Sequence, residues 1–192
     1  NPINSLNDYS KFILYDLHKF IETSHVLIVQ WDGYIINPQK WSEKFLNYDY
    51  LGAPFIPRSN DKKYCRDKDD NFFVVGNGGF SLRSKKLLCA AEKYNLSDEF
   101  NLTNGHEDGF LCVLHRRFLE KKGFKWAPFK IAKQFSIESP ITFNDFKELP
   151  FGFHGKKLLF FLRLKKFTDI IVYFFLLKFI PINDYMMESS NK

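Results

Sequence analysis

The run His25-Val26-Leu27-Ile28-Val29-Gln30-Trp31-Asp32-Gly33 most narrows what this chain can become. No polar residue interrupts Val26 to Val29, so the segment reads as a strand buried on both faces, of the kind found in the middle of an α/β sheet. It ends on a carboxylate. Gln30 and Asp32 stand two apart at the strand's carboxyl end, so both side chains are expected to point one way, into the crevice where open α/β sheets bind ligands.

Ahead of this strand, Tyr9, Phe12, Ile13, Leu17, Phe20 and Ile21 recur at helical spacing, with Lys11, Asp16 and Lys19 on other faces. The pattern predicts an amphipathic helix from about Asp8 to Ile21. A helix feeding a buried strand is half of an α/β repeat, and parallel strands need such crossovers. The first half of the sheet is therefore expected to precede Asn1, and the chain is read as a fragment or a processed product with no visible signal peptide.

Composition excludes several classes. A chain of 192 residues that is 45% hydrophobic can bury one sizeable core, which rules out a disordered or collagenous protein and makes one domain the default. Cys65, Cys89 and Cys112 are odd in number and far apart, so they read as buried thiols in a reducing compartment. The net charge of +6 is uneven: residues 1–155 hold 21 Lys and Arg against 19 Asp and Glu, and residues 156–192 hold 7 against 3. A nucleic-acid binder spreads its basic residues over the folded face, so no nucleic-acid partner is expected.

Beyond Asp32, Pro38 and Trp41 to Phe45 suggest a short helical segment, and Asp49 to Pro54 a short strand closed by a proline. Residues 57–71 are highly charged with little to bury, which predicts a mobile surface loop, either a lid or a solvated loop of no special role. Phe72 to Val75 reads as a second buried strand, followed by Gly76-Asn77-Gly78-Gly79. Such glycines let a ligand approach the backbone, and they equally suit a plain hairpin turn. A Walker phosphate loop is excluded by the missing Gly-Lys-Ser/Thr ending. Ser84 is expected to cap a helix running to about Tyr94, with Leu87, Leu88 and Ala91 inward.

His106-Glu107-Asp108-Gly109 stands before a helix whose apolar stripe is Phe110, Leu111, Leu114 and Phe118. Carboxylates in a first helical turn are favoured by the dipole, and two beside a histidine also suit a general base with its orienting partner. Trp126 to Ile137 reads as a short strand or loop, and Pro140 to Pro150 as a connecting loop. In Phe151-Gly152-Phe153-His154-Gly155, the imidazole is either a packed ring or a metal ligand awaiting a carboxylate.

The ordered set of Gln30-x-Asp32, Gly76 to Gly79, Glu107-Asp108 and His154 resembles the landmarks of GT-A-fold glycosyltransferases: the DxD motif, the glycine loop, the xED motif and the C-terminal histidine. The strings HVLIVQWDGYIINP, YLGAPF, VGNGGFSLRS, HEDGF and FGFHG look more closely like a bacterial domain-of-unknown-function family regarded as glycosyltransferase-like. The resemblance covers about Asp8 to Gly155. It implies an α/β, GT-A-like mixed sheet flanked by helices, with the domain's C-terminal part in residues 1–155 and its N-terminal β-α-β units expected upstream of Asn1.

The same resemblance implies site residues. Asp32 matches the last Asp of DxD and, with His154, would hold the Mn²⁺ or Mg²⁺ that carries a sugar-nucleotide diphosphate. Gln30 replaces the first Asp, which keeps hydrogen bonding to the donor and removes a charge. Gly76, Asn77, Gly78 and Gly79 would lie against the donor. Asp108 matches the base that takes the acceptor proton, and Glu107 would contact the acceptor or orient the site. The implied function is a metal-dependent glycosyltransferase acting on a hydroxyl acceptor, a cell-envelope glycan or lipid-linked saccharide.

The tail from Lys156 to Pro181 is apolar but interrupted by Arg163, Lys165, Lys166, Asp169 and Lys178, so it holds no uncharged span of transmembrane length. It fits a basic helix lying on an anionic membrane, or a helix packed on the core or a partner subunit. The first reading places the protein in the cytoplasm at the inner face of the membrane. Two other classes stand beside the transferase: an inactive glycan- or nucleotide-binding module, and a membrane-associated interaction protein acting through its tail.

Overall fold

Phe80–Ser84 (β4), rather than the His25 run, forms the central strand, and every residue in it is buried. In this computed structural model, which describes residues 2–55, 65–96, 105–138 and 148–155, β4 lies between β1 (His25–Val29) and β3 (Tyr50–Gly52). Both pairings are antiparallel. Among the described residues β1 is therefore an edge strand, and Val29 is 47% exposed. The expectation of a doubly buried, parallel central strand is corrected. An unbroken aliphatic run records a strand's apolar content but not how many neighbours it has.

Alternation along the three strands divides the sheet into two faces. Val26 and Ile28 of β1, Ser81 and Arg83 of β4, and Tyr50 of β3 share one face through the register Val26↔Arg83, Ile28↔Ser81 and Tyr50↔Arg83. Helices cover it. The first, α1 (Leu6–Lys11), starts at Ser5, whose hydroxyl accepts the Asp8 N–H, and continues through a π turn (Phe12–Asp16) and a 3₁₀ turn (Leu17–Phe20). This matches the expected helical span, and Ile13 packs with Ile28 and Leu88. Ser84 caps α2 (Lys85–Leu88) as expected by accepting the Leu87 N–H. After α3 (Ala90–Lys93), α4 (Glu107–Gly109) passes through a π turn (Phe110–Leu114) into α5 (Arg116–Lys121). Leu14, Tyr50, Leu87, Ala90, Phe110, Leu111 and Leu119 form the core on this side.

Phe80, Leu82 and Leu51 face the other way and pack with Phe45, Ala132, Phe135 and Phe151. Each buried Leu or Phe contributes about 1.5–3 kcal/mol relative to exposure. Ala132 and Phe135 belong to α6 (Phe129–Phe135), where the sequence suggested a strand or loop. Phe129, Ala132 and Phe135 recur at three-residue spacing, which suits a helix. Phe72 to Val75 also differs from expectation: among the described residues, isolated bridges, Arg66↔Phe72 and Pro54↔Val75, take the place of a strand.

A second sheet has the order β2-β6-β5, from β2 (Gly33–Ile35), β6 (Gly152–His154) and β5 (Ser136–Ile137). β2 runs antiparallel to β6, and β5 runs parallel to it. A Cβ on Gly152 would stand 2.2 Å from the Phe80 ring, so glycine there lets the two sheets close on one another. The chain is thus α/β, with small mixed sheets and helices.

In the charged loop, the described residues 65–71 are closed by Asp67, whose carboxylate accepts the Asp69 and Asn71 N–H groups. Cys65 beneath it is buried. The rest of that loop, residues 139–147 of the connecting loop and the tail 156–192 lie outside the described residues. Among those described, no helix is long and apolar enough to cross a membrane.

Candidate functional site at the junction of the sheets

Where β1 ends, the chain turns sharply. The Gly33 N–H donates to the Gln30 carbonyl at 2.8 Å, and the Gln30 N–H donates to the Gly79 carbonyl at 2.8 Å. Gln30 and Asp32 therefore sit on a turn, and the two-residue period of a strand does not apply to them. Their side chains part: Gln30 Nε2 donates to the Tyr9 hydroxyl at 3.3 Å, and Asp32 Oδ1 faces His154 Nε2 at 3.2 Å.

Asp32 and His154 meet because of strand register. Gly33 pairs with His154 across β2 and β6, so the residue before Gly33 is delivered to the end of β6. The Gly155 N–H donates to the Asp32 carbonyl at 3.1 Å and fixes the junction. Gly79 lies directly on the imidazole, since a Cβ there would stand 2.1 Å from Nε2. Burial works against the His154 charge, but Glu138, Asp32 and Asp108 together outweigh it and raise the imidazole above its ordinary value.

Asp108 reaches the same place from the helical side. Its Oδ2 accepts the Gly78 N–H at 3.0 Å, and its Oδ1 accepts the Gly109 N–H at 2.7 Å. Gly78 has no room for a side chain, because a Cβ would stand 2.8 Å from both Arg83 Nη2 and Glu107 Oε1. The Gly76 to Gly79 segment is thus a packed, buried stretch against which Asp108, Glu107 and His154 all rest. A Cβ on Gly76 would strike Phe55 and Cys112. Asn77 is buried, and its side-chain oxygen accepts the Gly79 N–H.

Glu107 forms a buried pair with Arg83, whose Nη2 donates to Oε1 at 2.6 Å, with the side chains 3% and 0% exposed. Arg83 Nε also donates to Ser81 Oγ, and its Cζ lies 5.0 Å from the Tyr50 ring centroid. Burial opposes the guanidinium charge, yet Tyr50, Glu107 and Tyr9 hold its pKa above the ordinary value. Glu107 is occupied by this pair and serves to tether the helix start to the central strand.

Two residues in this cluster carry no sequence signal that singles them out. Arg83 shares the polar positions of its strand with Ser81, where alternation predicts exposure, yet it is fully buried. Tyr9 counts among the apolar positions of the first helix, but burial and then the Glu107 charge raise its pKa, which keeps the phenol neutral beside the carboxylates.

Among the described residues, no group of three or more His, Cys, Asp or Glu side chains is placed to hold a metal ion. The donor pair Asp32 and His154 does fit part of an octahedral site. Their 3.2 Å separation is close to the spacing of about 3 Å between adjacent ligands around a cation with bonds of about 2.1 Å.

No curated protein and no solved structure matches the chain. A family model described as "Protein of unknown function (DUF5672)" matches residues 1–154. With most of its length covered by that match, the chain belongs to the DUF5672 family.

Proposed function

We propose that this protein is a metal-dependent glycosyltransferase of GT-A type, which moves a sugar from a nucleotide-sugar donor to a hydroxyl acceptor. The contact of Asp32 with His154 beside Gly79, with Asp108 held on the neighbouring Gly78, is the observation that supports this reading most. Asp32 and His154 would hold Mn²⁺ or Mg²⁺, which supplies positive charge to the departing nucleoside diphosphate.

Asp108 takes the proton of the acceptor hydroxyl as that oxygen bonds to the anomeric carbon. The bond from that carbon to the diphosphate breaks, and its electron pair leaves with the diphosphate. The N–H bonds from Gly78 and Gly109 fix the direction in which the Asp108 carboxylate faces. Glu107 orients the helix start through Arg83. Cell-envelope glycans or lipid-linked saccharides are the acceptor class, and the basic tail through residue 181 is the proposed contact with the membrane's inner face.

A second reading, a glycan- or nucleotide-binding module without turnover, is favoured by Gln30. This residue is engaged with Tyr9 and brings no charge to the cation. The two readings separate in a screen of sugar nucleotides with Mn²⁺ on the complete reading frame, comparing wild type with Asp32→Ala and Asp108→Asn. The transferase releases nucleoside diphosphate, and either substitution lowers the rate by about 10²-fold or more. Donor binding without release identifies the module, and release unaffected by both substitutions removes these residues from the chemistry.

A further inference from the structure

The second sheet delivers one more carboxylate to His154. β5 runs parallel to β6 with Ser136 opposite Gly152 and Ile137 opposite Phe153, so the next residue, Glu138, arrives beside His154. Glu138 Oε1 lies 3.6 Å from His154 Nδ1, while Asp32 Oδ1 lies 3.2 Å from Nε2. Nδ1 is buried and has no hydrogen-bond partner among the described residues, and the Glu138 carboxylate stands just beyond hydrogen-bond distance of it. Gly155, at φ +119°, packs against Glu138, with its Cβ position 3.7 Å from Glu138 Cγ. The imidazole is thus flanked by carboxylates from the ends of the two strands that border its own, and Gly79 closes over the ring.

The two nitrogens of an imidazole point in divergent directions. A cation beside Nε2 and Asp32 is therefore out of reach of Glu138, whose role must pass through the ring. We infer that Glu138 is a positioning residue: it accepts the Nδ1 proton of His154, fixes the tautomer and rotation of the ring, and so presents Nε2 with Asp32 to a divalent cation. This rests on the reading that Asp32 and His154 hold such a cation. Outer carboxylates of this kind raise ligand basicity, and their loss weakens metal binding by about 10- to 100-fold.

Titration calorimetry with Mn²⁺ alone tests the assignment on the full chain, without donor or turnover. Glu138→Ala should weaken Mn²⁺ binding by about 10-fold or more, and Glu138→Gln, whose amide oxygen still accepts from Nδ1, should recover part of the loss. Asp32→Ala should lose binding altogether. Mn²⁺ binding by wild type with unchanged affinity in both Glu138 variants overturns the role of Glu138 and leaves the cation site standing. No Mn²⁺ binding by wild type overturns the cation site and this inference with it. ¹⁵N spectra of wild-type His154 with Mg²⁺ bound provide a check that needs no variant: the proton is expected on Nδ1, and a proton on Nε2 refutes the assignment.

Discussion

Two ionic arrangements on either side of the glycine segment use the same chemistry to different ends. Arg83 and Glu107 are sealed inside the helix-covered face, 0% and 3% exposed and joined at 2.6 Å. His154 meets Asp32 at 3.2 Å and Glu138 at 3.6 Å, in a place where the side chains keep 14%, 10% and 37% exposure. The first pair grows from the middle of a strand and the start of a helix, and it locks two elements together. The second grows from strand ends, with longer contacts and some access to water. A short, dry pair makes a fixed frame, whereas a loose and partly hydrated one keeps a nitrogen and an oxygen that can be given up to a ligand.

The comparison breaks most readily on stability. Removing one partner of a buried pair leaves the other charge without compensation, so Glu107→Ala should cost about 3–5 kcal/mol in urea unfolding. His154→Gln should cost well under half of that, because the contacts it gives up are longer and Glu138 is 37% exposed. Equal costs for the two substitutions would erase the distinction between frame and site.

Gly79 lies on the His154 ring, next to the Gly78 that packs on Arg83 and Glu107, and gives the next largest effect. A Cβ there would stand 2.1 Å from His154 Nε2, so Gly79→Ala forces the ring or the backbone to move. Overpacking of this kind costs about 1–3 kcal/mol. The ring shift should also weaken Mn²⁺ binding in calorimetry by more than Gly123→Ala does, since Gly123 has no atom within 4 Å of its Cβ position. A Gly79→Ala protein with wild-type Mn²⁺ affinity would mean that the ring's seat does not matter.

The parts of this arrangement that are local in sequence were legible there. The Ser84 cap, the short strand at Tyr50–Gly52 and the helical run before β1 each depend on neighbours a few residues away. The ordered motifs also led to Asp32, His154, Asp108 and the glycines, which the structure brings together. What escaped depends on partners far along the chain. Arg83 finds Glu107 across 24 residues, and Tyr9 receives Gln30 across 21. Glu138 is set beside His154 by the register of β5 on β6, which no periodicity reports. The His25 run misled because hydrophobic content says nothing of sheet order, and the Gln30-x-Asp32 spacing misled because a turn replaces the strand after Val29.

The pH dependence of stability sharpens the contrast further. The folded His154 pKa is raised, because Glu138, Asp32 and Asp108 outweigh the opposing effect of burial. The folded state then binds the proton more tightly than the unfolded state. The resulting stabilisation is fully present below the unfolded value of about 6.5 and is lost as pH rises through the folded value. In the presence of a chelator, the melting temperatures of wild type and His154→Gln should differ most near pH 5 and converge as pH rises. The guanidinium of Arg83 stays charged throughout that range, so the sealed pair brings no such change of its own. A difference that grows with pH would reverse the assigned direction.

The smallest effect concerns a thiol on the sealed side. Cys112 is fully buried, and burial pushes its thiol up to about 12, although the Trp126 indole N–H donates to Sγ at 3.3 Å and pulls the other way. The thiolate is the reactive form, so Cys112 should resist alkylation at neutral pH while the protein is folded. Cys89 is only partly buried at the break between α2 and α3, and it should label first. Because the buried pair holds this face closed, Glu107→Ala should bring the Cys112 labelling rate towards that of Cys89, and His154→Gln should leave it nearly unchanged. Mass spectrometry of iodoacetamide-treated protein reads both rates in one sample. Fast labelling of Cys112 in wild type would show that the helix-covered face opens far more often than a dry ion pair permits, and the frame would then be as yielding as the site it supports.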